Sequence, residues 1–490
     1  MSTVVLEPLK LGDLIQSTPL LARLRRRSRE LTLVVARPEV AAAARHCALA
    51  DEVVLVDGTE APEKIKNTLN LHPETLVNLS SSRWSTGLAS QFKPKRHLGP
   101  RASPGGVVYP PDFKMAAAVM RVDRRLGMLN LVDLWRRLAP DPRDSLTDGG
   151  PPAEHPRPGG GPPALPSGPP FRPGRGLVWP VSAEALAEAE ELVGSFDFRA
   201  GGPLVGFQLG CGSRLRRWPA ERFVELALAL GPVRIVLFGV ASERALGRRF
   251  LDLYRRASPV GPEPLDLTGR TTIESLGGFL SLLNLLVSAD TGVMHMAAAV
   301  GTPVLAVFGG PALAGETGPY APGAIVAQGS APCSPCPESG DCRKKVCPGL
   351  PAASRVVRAA GKIIGLDPPP APSSPGGPPV VIFRATADDF GQSLAPDEPA
   401  VLTNTRKLAL AVREACVGCL DKDHPPGPPE GDLACFTARE KEGPDDAARA
   451  AVEAVARLAL ETAAERRRFG LLAMDALAKI EGLVPEKSGG

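Results

Sequence analysis

Short apolar runs alternate with amphipathic stretches over most of the first 365 residues. The β-branched runs predict strands, and the helical periodicity between them predicts crossover helices, as over Pro19–Arg29 and Glu221–Leu230. This alternation predicts two parallel, doubly wound α/β units. The predicted strands are Val4–Leu6, Leu31–Ala36, Glu52–Val56 and Thr75–Leu79 in the first unit, and Leu204–Leu209, Val233–Phe238, Leu285–Ser288 and Pro303–Phe308 in the second.

Connectors rich in glycine and proline divide the chain. Gly and Pro number 51 and 53 of the 490 residues, and they concentrate at 149–176 and 367–379, which we interpret as linkers. The predicted units are an N-terminal Rossmann-like domain over 1–175, a second one over 177–366, and an extension over 380–490. The extension is helical by pattern near Thr405–Cys416 and over Asp445–Ile480, and it carries no motif that indicates a chemistry.

Two helix starts in the second unit have local sequence signals. Thr271 stands three residues before Glu274, the spacing of a capping box, and Pro219 is expected in the first turn of the helix through Glu221–Leu230. In open parallel sheets, ligands bind beyond the carboxyl ends of the strands, where the following helices begin. The loops after the strands are therefore the predicted site.

The charge balance and the apolar segments exclude several classes of protein. The 57 basic and 53 acidic residues leave a net charge of +4, which is too small and too evenly spread for a nucleic-acid-binding surface. Glu7, Lys10 and Asp13 interrupt the segment Met1–Leu14, so no signal peptide is expected, and Leu276–Ala289 is too short for a membrane span. We expect a cytoplasmic protein whose membrane contact is at most peripheral.

The loop Leu9–Asp13 leads from the first predicted strand into a helix, so Asp13 lies at the edge of the predicted cleft. One interpretation is helix capping, because a carboxylate there accepts hydrogen bonds from the amides of the helix start. The other is a general base that takes the proton of a substrate hydroxyl. The two roles are compatible with each other.

A second candidate is the turn over 210–219, which contains two glycines, a hydroxyl and three arginines. Glycines allow main-chain amides to approach an anion, Ser213 can donate to a phosphate oxygen, and Arg216 can pair with it through two N–H groups. These residues indicate a diphosphate site. The alternative is a solvated basic turn with Trp218 packed in the core.

The segment 288–297 joins a buried strand to a helix of small residues. The Thr291 hydroxyl and the amides of Gly292 and Val293 would point outward from the helix start and bind an anion. His295 lies one turn further, either packed in the core or near the same helix end. Glu243, after another strand, is either a ligand of ribose hydroxyls or an exposed first-turn acid.

Four of the nine cysteines lie close together in a proline-rich loop. Four thiolates can hold zinc or an iron–sulfur cluster, but the spacing matches no common zinc finger, and local packing or reversible oxidation would use the same residues. A structural metal is therefore one of several alternatives. The four cysteines are Cys333, Cys336, Cys342 and Cys347. A weaker second set is Cys416, Cys419, His424 and Cys435.

The candidate segments stand in a characteristic order along the chain. They are Leu11-Gly12-Asp13 with Ser17-Thr18-Pro19-Leu20-Leu21, Ser213 with Arg216 through Phe223, Asp290 through Ala299, and Gly301 through Val304. With these segments the chain resembles glycosyltransferase family nine, the bacterial lipopolysaccharide heptosyltransferases, over residues 1–365. The cysteine-rich loop 333–347 is also similar to one that recurs in this family.

The resemblance implies a GT-B architecture, in which two Rossmann-like domains face a cleft. The N-terminal domain would receive an acceptor sugar of the lipopolysaccharide core or another surface glycan, and the second would hold a nucleotide sugar, typically ADP-L-glycero-D-manno-heptose. The implied reaction is an inverting transfer that requires no metal, at the cytoplasmic face of the inner membrane. Asp13 would be the base and Lys10 would contact the acceptor. The implied donor-binding residues are Ser213, Arg216, Glu243, Asp290, Thr291, Gly292 and His295.

Three departures from the family pattern leave the donor open. Cys211-Gly212 stands where hydroxyl residues are frequent, Arg216 replaces the commoner lysine, and Glu7-Pro8 is unusual beside the first loop. Two alternative functions follow from the same fold. One is a non-catalytic sensor or scaffold that binds nucleotide sugars, and the other is an epimerase that consumes a nucleotide sugar without an acceptor.

Overall fold

The computed structural model contains two α/β halves, each built on its own sheet. The N-terminal half comprises the described residues up to 139, and the C-terminal half comprises those from 176 onward. The structure describes residues 2–6, 10–104, 106–108, 130–139, 176–329, 336, 351–366, 380–387 and 392–396.

The N-terminal half has a five-stranded parallel sheet with helices packed against it. Its elements are β1 Ser2–Leu6, α1 Leu11–Arg27, β2 Glu30–Val35, α2 Pro38–Cys47, β3 Glu52–Leu55, α3 Pro62–Leu69, β4 Thr75–Asn78, α4 Arg83–Ser90, β5 Arg96–Leu98, the hairpin β6 Arg101–Ser103 and β7 Gly106–Val108, and α5 Leu131–Arg136. The strand order is β3-β2-β1-β4-β5, so the chain reverses direction across the sheet beside β1. A ligand cleft forms at such a reversal point.

The C-terminal half repeats this plan with an eight-stranded sheet. Its elements are α6 Ala183–Ser195, β8 Leu204–Gln208, α7 Ala220–Leu230, β9 Arg234–Phe238, a 3₁₀ turn Ala241–Glu243, α8 Arg244–Ala257, β10 Leu265–Asp266, α9 Ile273–Leu282, β11 Leu285–Ser288, α10 Gly292–Ala299, β12 Val304–Phe308, α11 Ala314–Thr317, β13 Ile325–Gly329, α12 Ala353–Ile364, β14 Val380–Ala387 and β15 Gln392–Pro396. The strand order is β10-β9-β8-β11-β12-β13-β14-β15. The central strands are buried along their length because helices cover both faces. The predicted pair of doubly wound α/β units is confirmed.

The last two strands continue the second sheet into the predicted extension. β14 pairs antiparallel with β13, with Val326 opposite Phe383, and β15 pairs antiparallel with β14. Residues 380–396 therefore belong to the same sheet as the second Rossmann-like unit. The helical stretches predicted near 405–416 and 445–480 lie outside the described residues, and the remaining domain bounds stay predictions.

Helix α1 begins earlier than the pattern predicts. The expectation was a helix from Pro19, but α1 starts at Leu11 and carries Pro19 in its interior. Proline lacks the N–H that would bond to the carbonyl four residues before it. The hydroxyl of Thr18 donates to that carbonyl, on Ile15, at 2.6 Å and so satisfies the acceptor that Pro19 leaves. The Thr-Pro pair therefore continues the helix.

The two predicted helix starts in the C-terminal half shift by one residue. The capping box is formed by Thr272, whose hydroxyl accepts from the Ser275 amide at 3.1 Å, while the Ser275 hydroxyl accepts from the Thr272 amide at 3.1 Å. The prediction of Thr271 with Glu274 was wrong, because a serine hydroxyl performs the role expected of the carboxylate. Pro219 is the residue before α7 rather than in its first turn.

The apolar stretch Leu276–Ala289 is divided between α9 and β11 rather than forming one element. Within the described ranges, no helix has both the length and the apolar character that a membrane crossing requires.

The two halves share one hydrophobic core. A single cluster of buried side chains includes Val5 and Leu14 from the N-terminal half together with Leu286 and Met294 from the C-terminal half. The connecting segment is also bonded to the N-terminal half, because the Val178 amide donates to the Thr18 hydroxyl at 2.9 Å. The two halves are therefore joined by packed side chains as well as by the connecting segment.

Replacement of Gly278 by alanine tests how closely α6 packs against α9. A Cβ on Gly278 would lie 2.2 Å from the carbonyl oxygen of Ala185, a main-chain atom that cannot move aside. We expect Gly278→Ala to lower the free energy of unfolding by about 1–3 kcal/mol, the usual cost of overpacking, measured by urea denaturation.

The matched control for this variant is Gly194→Ala on α6. A Cβ there meets nothing within 4 Å, so the stability should stay constant or rise by up to about 1 kcal/mol. Equal stability of the two alanine variants would contradict the described contact between α6 and α9.

Candidate functional site

The site is built where α1 and α10 begin. A Cβ on Gly12 would lie 3.2 Å from Cδ2 of His295 and 3.6 Å from Cα of Gly292. A Cβ on Gly292 would lie 3.0 Å from Cγ of Leu11. The two helix starts therefore lie close together between the halves, and a side chain at either glycine would force its neighbour to shift.

Asp13 lies in the first turn of α1, half buried beside this contact. One of its carboxylate oxygens accepts the Lys10 amide at 3.1 Å, so the carboxylate caps the helix as one of the two interpretations predicts. Lys10 itself is exposed, with extended backbone, immediately before the helix. Asp13 thus stands within one turn of the helix end that faces Gly292.

The turn after β8 has a fixed conformation. The Gln208 side-chain amide donates to the Gly210 carbonyl at 3.3 Å, and the Leu215 amide donates to the Ser213 hydroxyl at 3.3 Å. The buried Trp218 donates its indole N–H to the Pro351 carbonyl at 2.9 Å, which anchors the end of the turn. Trp218 is therefore a packing residue, as the alternative interpretation of this turn expects.

Arg216 and Asp290 form an ion pair that joins two loops of the C-terminal half. Arg216 Nη1 lies 2.8 Å from Asp290 Oδ2, and the two side chains are only 13% and 11% exposed. The Cys211 thiol donates to the Asp290 main-chain carbonyl at 3.5 Å, and burial raises the pKa of this thiol. The loop after β8 is thus held against the loop after β11. The charge of the guanidinium is balanced by a carboxylate before any ligand binds.

The start of α10 provides main-chain donors. The Thr291 hydroxyl accepts the Met294 amide at 3.3 Å and lies 3.0 Å from the Ser288 hydroxyl, so Thr291 caps the helix. The first amides of a helix have no acceptor within it. Those of Gly292 and Val293 stand at this end, where the helix dipole favours an anion by about 0.3–2 kcal/mol.

His295 is buried one turn into α10. Burial lowers its pKa to about 4, although the nearby Asp290 charge acts in the opposite direction. The imidazole is therefore neutral at pH 7. Its Nδ1 has no hydrogen-bond partner among the described residues. His295 can act on a ligand through hydrogen bonds and shape, not through a positive charge.

Glu243 is brought against the turn after β8. Its carboxylate accepts the Val240 amide at 3.0 Å and closes the 3₁₀ turn. A Cβ on Gly210 would lie 1.8 Å from the Glu243 carboxyl carbon. Gly210 therefore makes room for Glu243, and the structure joins the predicted diphosphate and nucleoside residues at one edge of the second sheet.

The sequence interpretation missed two buried glutamines near the site. Gln208 ends the apolar strand β8, and Gln16 lies one turn after Asp13; both are buried, and neither side-chain oxygen has a hydrogen-bond partner in the described part of the chain. The sequence does contain a signal for Gln208, because a polar residue at the end of a buried strand lies at the edge of the sheet where ligands bind. Gln16 had no such signal.

The cysteine loop lies almost wholly outside the described residues. Cys336 is described: it is buried, and its amide donates to the Gly310 carbonyl at 3.3 Å. Among the described residues, no group of three or more His, Cys, Asp or Glu side chains is placed to hold a metal ion. A metal at Cys333, Cys336, Cys342 and Cys347 stays a prediction, as does the weaker set beyond residue 415.

Comparison with known proteins supports, over part of the chain, the family that the motifs resemble. Residues 176–347 match the family described as "Glycosyltransferase family 9 (heptosyltransferase)". Lipopolysaccharide heptosyltransferase 2 of Salmonella typhimurium is 29% identical over 136 residues, which are 27% of this chain and 38% of that protein. Lipooligosaccharide heptosyltransferase 2 of Haemophilus influenzae is 30% identical over 112 residues, 22% of this chain and 31% of that protein. The matched segments thus span well under half of these relatives.

The fold also has a counterpart among solved structures. The crystal structure of the glycosyl transferase family 9 from Veillonella parvula superposes with a TM-score of 0.53 at 20% identity, covering 74% of this chain and 97% of that chain. This likeness concerns the architecture of two Rossmann-like halves.

The buried His295 predicts a pH-dependent stability. An unfolded histidine binds a proton below about pH 6.5, whereas His295 stays neutral in the folded protein down to about pH 4. The unfolded state therefore takes up more protons in this window. The stabilising contribution is complete above pH 6.5, and about 3 kcal/mol of it is lost as the pH falls to 4.

Urea denaturation at pH 7, 5.5 and 4.5 measures this contribution. His295→Gln should flatten the dependence of the unfolding free energy on pH, while His72→Gln at an exposed position controls for the substitution itself. Identical pH profiles for wild type and His295→Gln would contradict a buried, neutral imidazole.

Proposed function

We propose that this chain, whose residues 176–347 belong to glycosyltransferase family 9, is an enzyme that transfers a heptose from a nucleotide sugar to a sugar of the lipopolysaccharide core. The names of its relatives support the sugar and the pathway. The observation that supports the proposal is the contact between α1 and α10, which brings the helix start that carries Asp13 beside Gly292. A base and an anion site on opposite walls of one cleft are what such a transfer needs.

Asp13 is the proposed base. An acceptor hydroxyl beside α1 would transfer its proton to the Asp13 carboxylate while its oxygen attacks the anomeric carbon of the donor. The bond from that carbon to the diphosphate breaks, and its electron pair leaves with the diphosphate. Attack from the face opposite the leaving group inverts the anomeric centre. Lys10, exposed before α1, would contact the acceptor.

The C-terminal half would stabilise the leaving diphosphate. Negative charge increases on the departing oxygen in the transition state, and preorganised donors at that point lower the barrier most. The proposed donors are the amides at the start of α10, the Thr291 and Ser213 hydroxyls, and the guanidinium of Arg216. Asp290 holds that guanidinium in place through the ion pair. We propose that these groups replace a divalent cation in the reaction.

Glu243 and His295 complete the proposed donor site. Glu243 lies against Gly210, next to the diphosphate turn, where its carboxylate could accept hydrogen bonds from ribose hydroxyls. His295, being neutral, would supply a ring N–H or accept one. ADP-heptose is the donor that the family suggests. We place the reaction at the cytoplasmic membrane face, with peripheral contact to the lipid-linked acceptor.

The substitution Asp13→Asn tests the catalytic role of Asp13 separately from its role at the helix start. Asparagine keeps an oxygen that accepts the Lys10 amide, so the helix start should persist, but it cannot take a proton. We expect turnover to fall by about 10²- to 10⁴-fold with the affinity for ADP unchanged. Heptose transfer is measured by mass spectrometry of the acceptor, and ADP affinity by calorimetry.

Two controls define how this experiment is interpreted. Wild-type turnover is measured with and without EDTA, and loss of activity in the chelator would overturn the metal-independent mechanism. Unchanged turnover in Asp13→Asn would remove Asp13 as the base. Tight ADP binding by wild type without transfer to any acceptor would favour a sensor, and conversion of the donor without an acceptor would favour an epimerase.

Gly210→Ala tests the placement of Glu243 in the donor site. The added Cβ would occupy the position of the Glu243 carboxyl group, and that side chain must move. We expect ADP affinity to fall at least about tenfold, the loss of one charged hydrogen-bonding group. Calorimetry measures the affinity. Gly201→Ala, where a Cβ meets nothing within 4 Å, is the control; equal affinities in both variants would contradict the assignment.

A further inference from the structure

Helix α5 is a buried element between the two halves. All of its residues from Val132 to Arg136 are buried, including two with charged side chains, Asp133 and Arg136. Neither charged side chain is used in the reaction proposed above. A charged group without solvent is stable only when other groups bond to it.

Asp133 bonds to two other segments of the chain and to a residue of its own helix. One carboxylate oxygen accepts the Tyr320 hydroxyl at 2.5 Å and lies 3.7 Å from Arg136 Nη1, and the other accepts the Gln392 amide at 2.9 Å. Tyr320 follows α11 in the C-terminal half, and Gln392 opens β15. A single carboxylate therefore joins an element of the N-terminal half to the second sheet and to its added strand pair.

A second hydrogen-bonding side chain, that of Asn130, fixes α5 to the loop that contains Tyr320. The Asn130 side chain accepts the Val132 amide at 3.0 Å, which caps α5, and donates to the Gly318 carbonyl at 3.1 Å. Apolar packing supports these bonds, since Trp135, Phe383 and Leu394 belong to the core cluster shared by both halves. The interface between α5 and the C-terminal half thus consists of several hydrogen bonds together with apolar packing.

Helix α5 in turn packs along α1. The buried Arg23 of α1 donates to the Arg136 carbonyl at 3.4 Å. Asp13 stands at the other end of α1, where that helix meets α10. Helix α1 is therefore held to the C-terminal half at two places: directly through the glycine contact at its start, and through α5 along its length.

We propose that Asp133 is a positioning residue, which holds α1, and with it Asp13, in a fixed position relative to the C-terminal half. Strands β14 and β15 supply part of this support. The inference rests on the proposed function for its effect on turnover. The strand pair lies beyond the segment that matches the family, so it adds a support that the family match does not include. Loosening the Asp133 contacts tilts α1 and misplaces the base, while the donor site, built within the C-terminal half, stays intact.

Tyr320→Phe is the sharpest test because it removes one hydroxyl and keeps the buried ring. We expect kcat to fall about tenfold, because a small displacement of a catalytic group by a remote change lowers the rate by such factors, while KM for the donor and ADP affinity stay within twofold. Tyr254→Phe is the matched control: this ring is also buried, but it stacks on Phe250 inside the C-terminal half. It should leave kcat unchanged.

Hydrogen exchange supplies a measurement that does not depend on activity. In Tyr320→Phe the Gln392 amide and the amides of residues 14–18 of α1 should exchange faster, while those of β8 and β11 keep their rates. Faster exchange confined to β15 and α5, or a lower melting temperature with kcat unchanged, would mean that Asp133 only stabilises the fold and would overturn the inference.

Asp133→Asn provides a second variant with the same geometry and no charge. A similar fall in kcat with unchanged ADP affinity supports the inference, and a parallel loss of ADP affinity contradicts it. If wild type transfers no sugar, the proposed function fails, and the exchange pattern alone then decides whether Asp133 couples β15 to α1.

Discussion

The close contact between Gly12 and Gly292 is the constraint on which the site depends. Each glycine opens a helix in a different half, and a side chain on either would press into its neighbour, with only 3.2 Å between a Cβ on Gly12 and the His295 ring. The approach directs the positive ends of two helix dipoles toward the same space. Asp13 contributes a negative charge from one wall, and an anion in the cleft would be stabilised by both helix ends.

Two groups beside these helix starts carry no uncompensated positive charge before a ligand binds. Asp290 compensates Arg216, and burial keeps His295 neutral. In the proposed function, attraction for a diphosphate would depend on the amides at the helix starts and on a guanidinium that Asp290 already holds in one conformation. A side chain held in its binding conformation loses less entropy when the ligand binds, which is one reason to tolerate a largely buried ion pair.

The alignment of the halves also depends on contacts behind the cleft. Helix α5 bonds to the loop containing Gly318 and Tyr320, and through Asp133 to the first residue of β15. The second sheet thus extends past the family-like region and returns to support the N-terminal half. This arrangement explains why the strand pair β14–β15 is packed into the shared core rather than standing apart from it.

The amino-acid sequence determined the alternation of strands and helices, because hydrophobic periodicity is a local property, and it indicated Asp13, the turn at Ser213 and the start of α10 as the loops beside strand ends. It misplaced the start of α1, since a proline is usually a helix boundary and the compensating Thr18 bond is not visible in a pattern. Only the tertiary structure decided that Arg216 pairs with Asp290 and that Asp133 meets Tyr320. Such partners lie scores of residues apart, and short-range patterns carry no record of which distant groups folding will bring together.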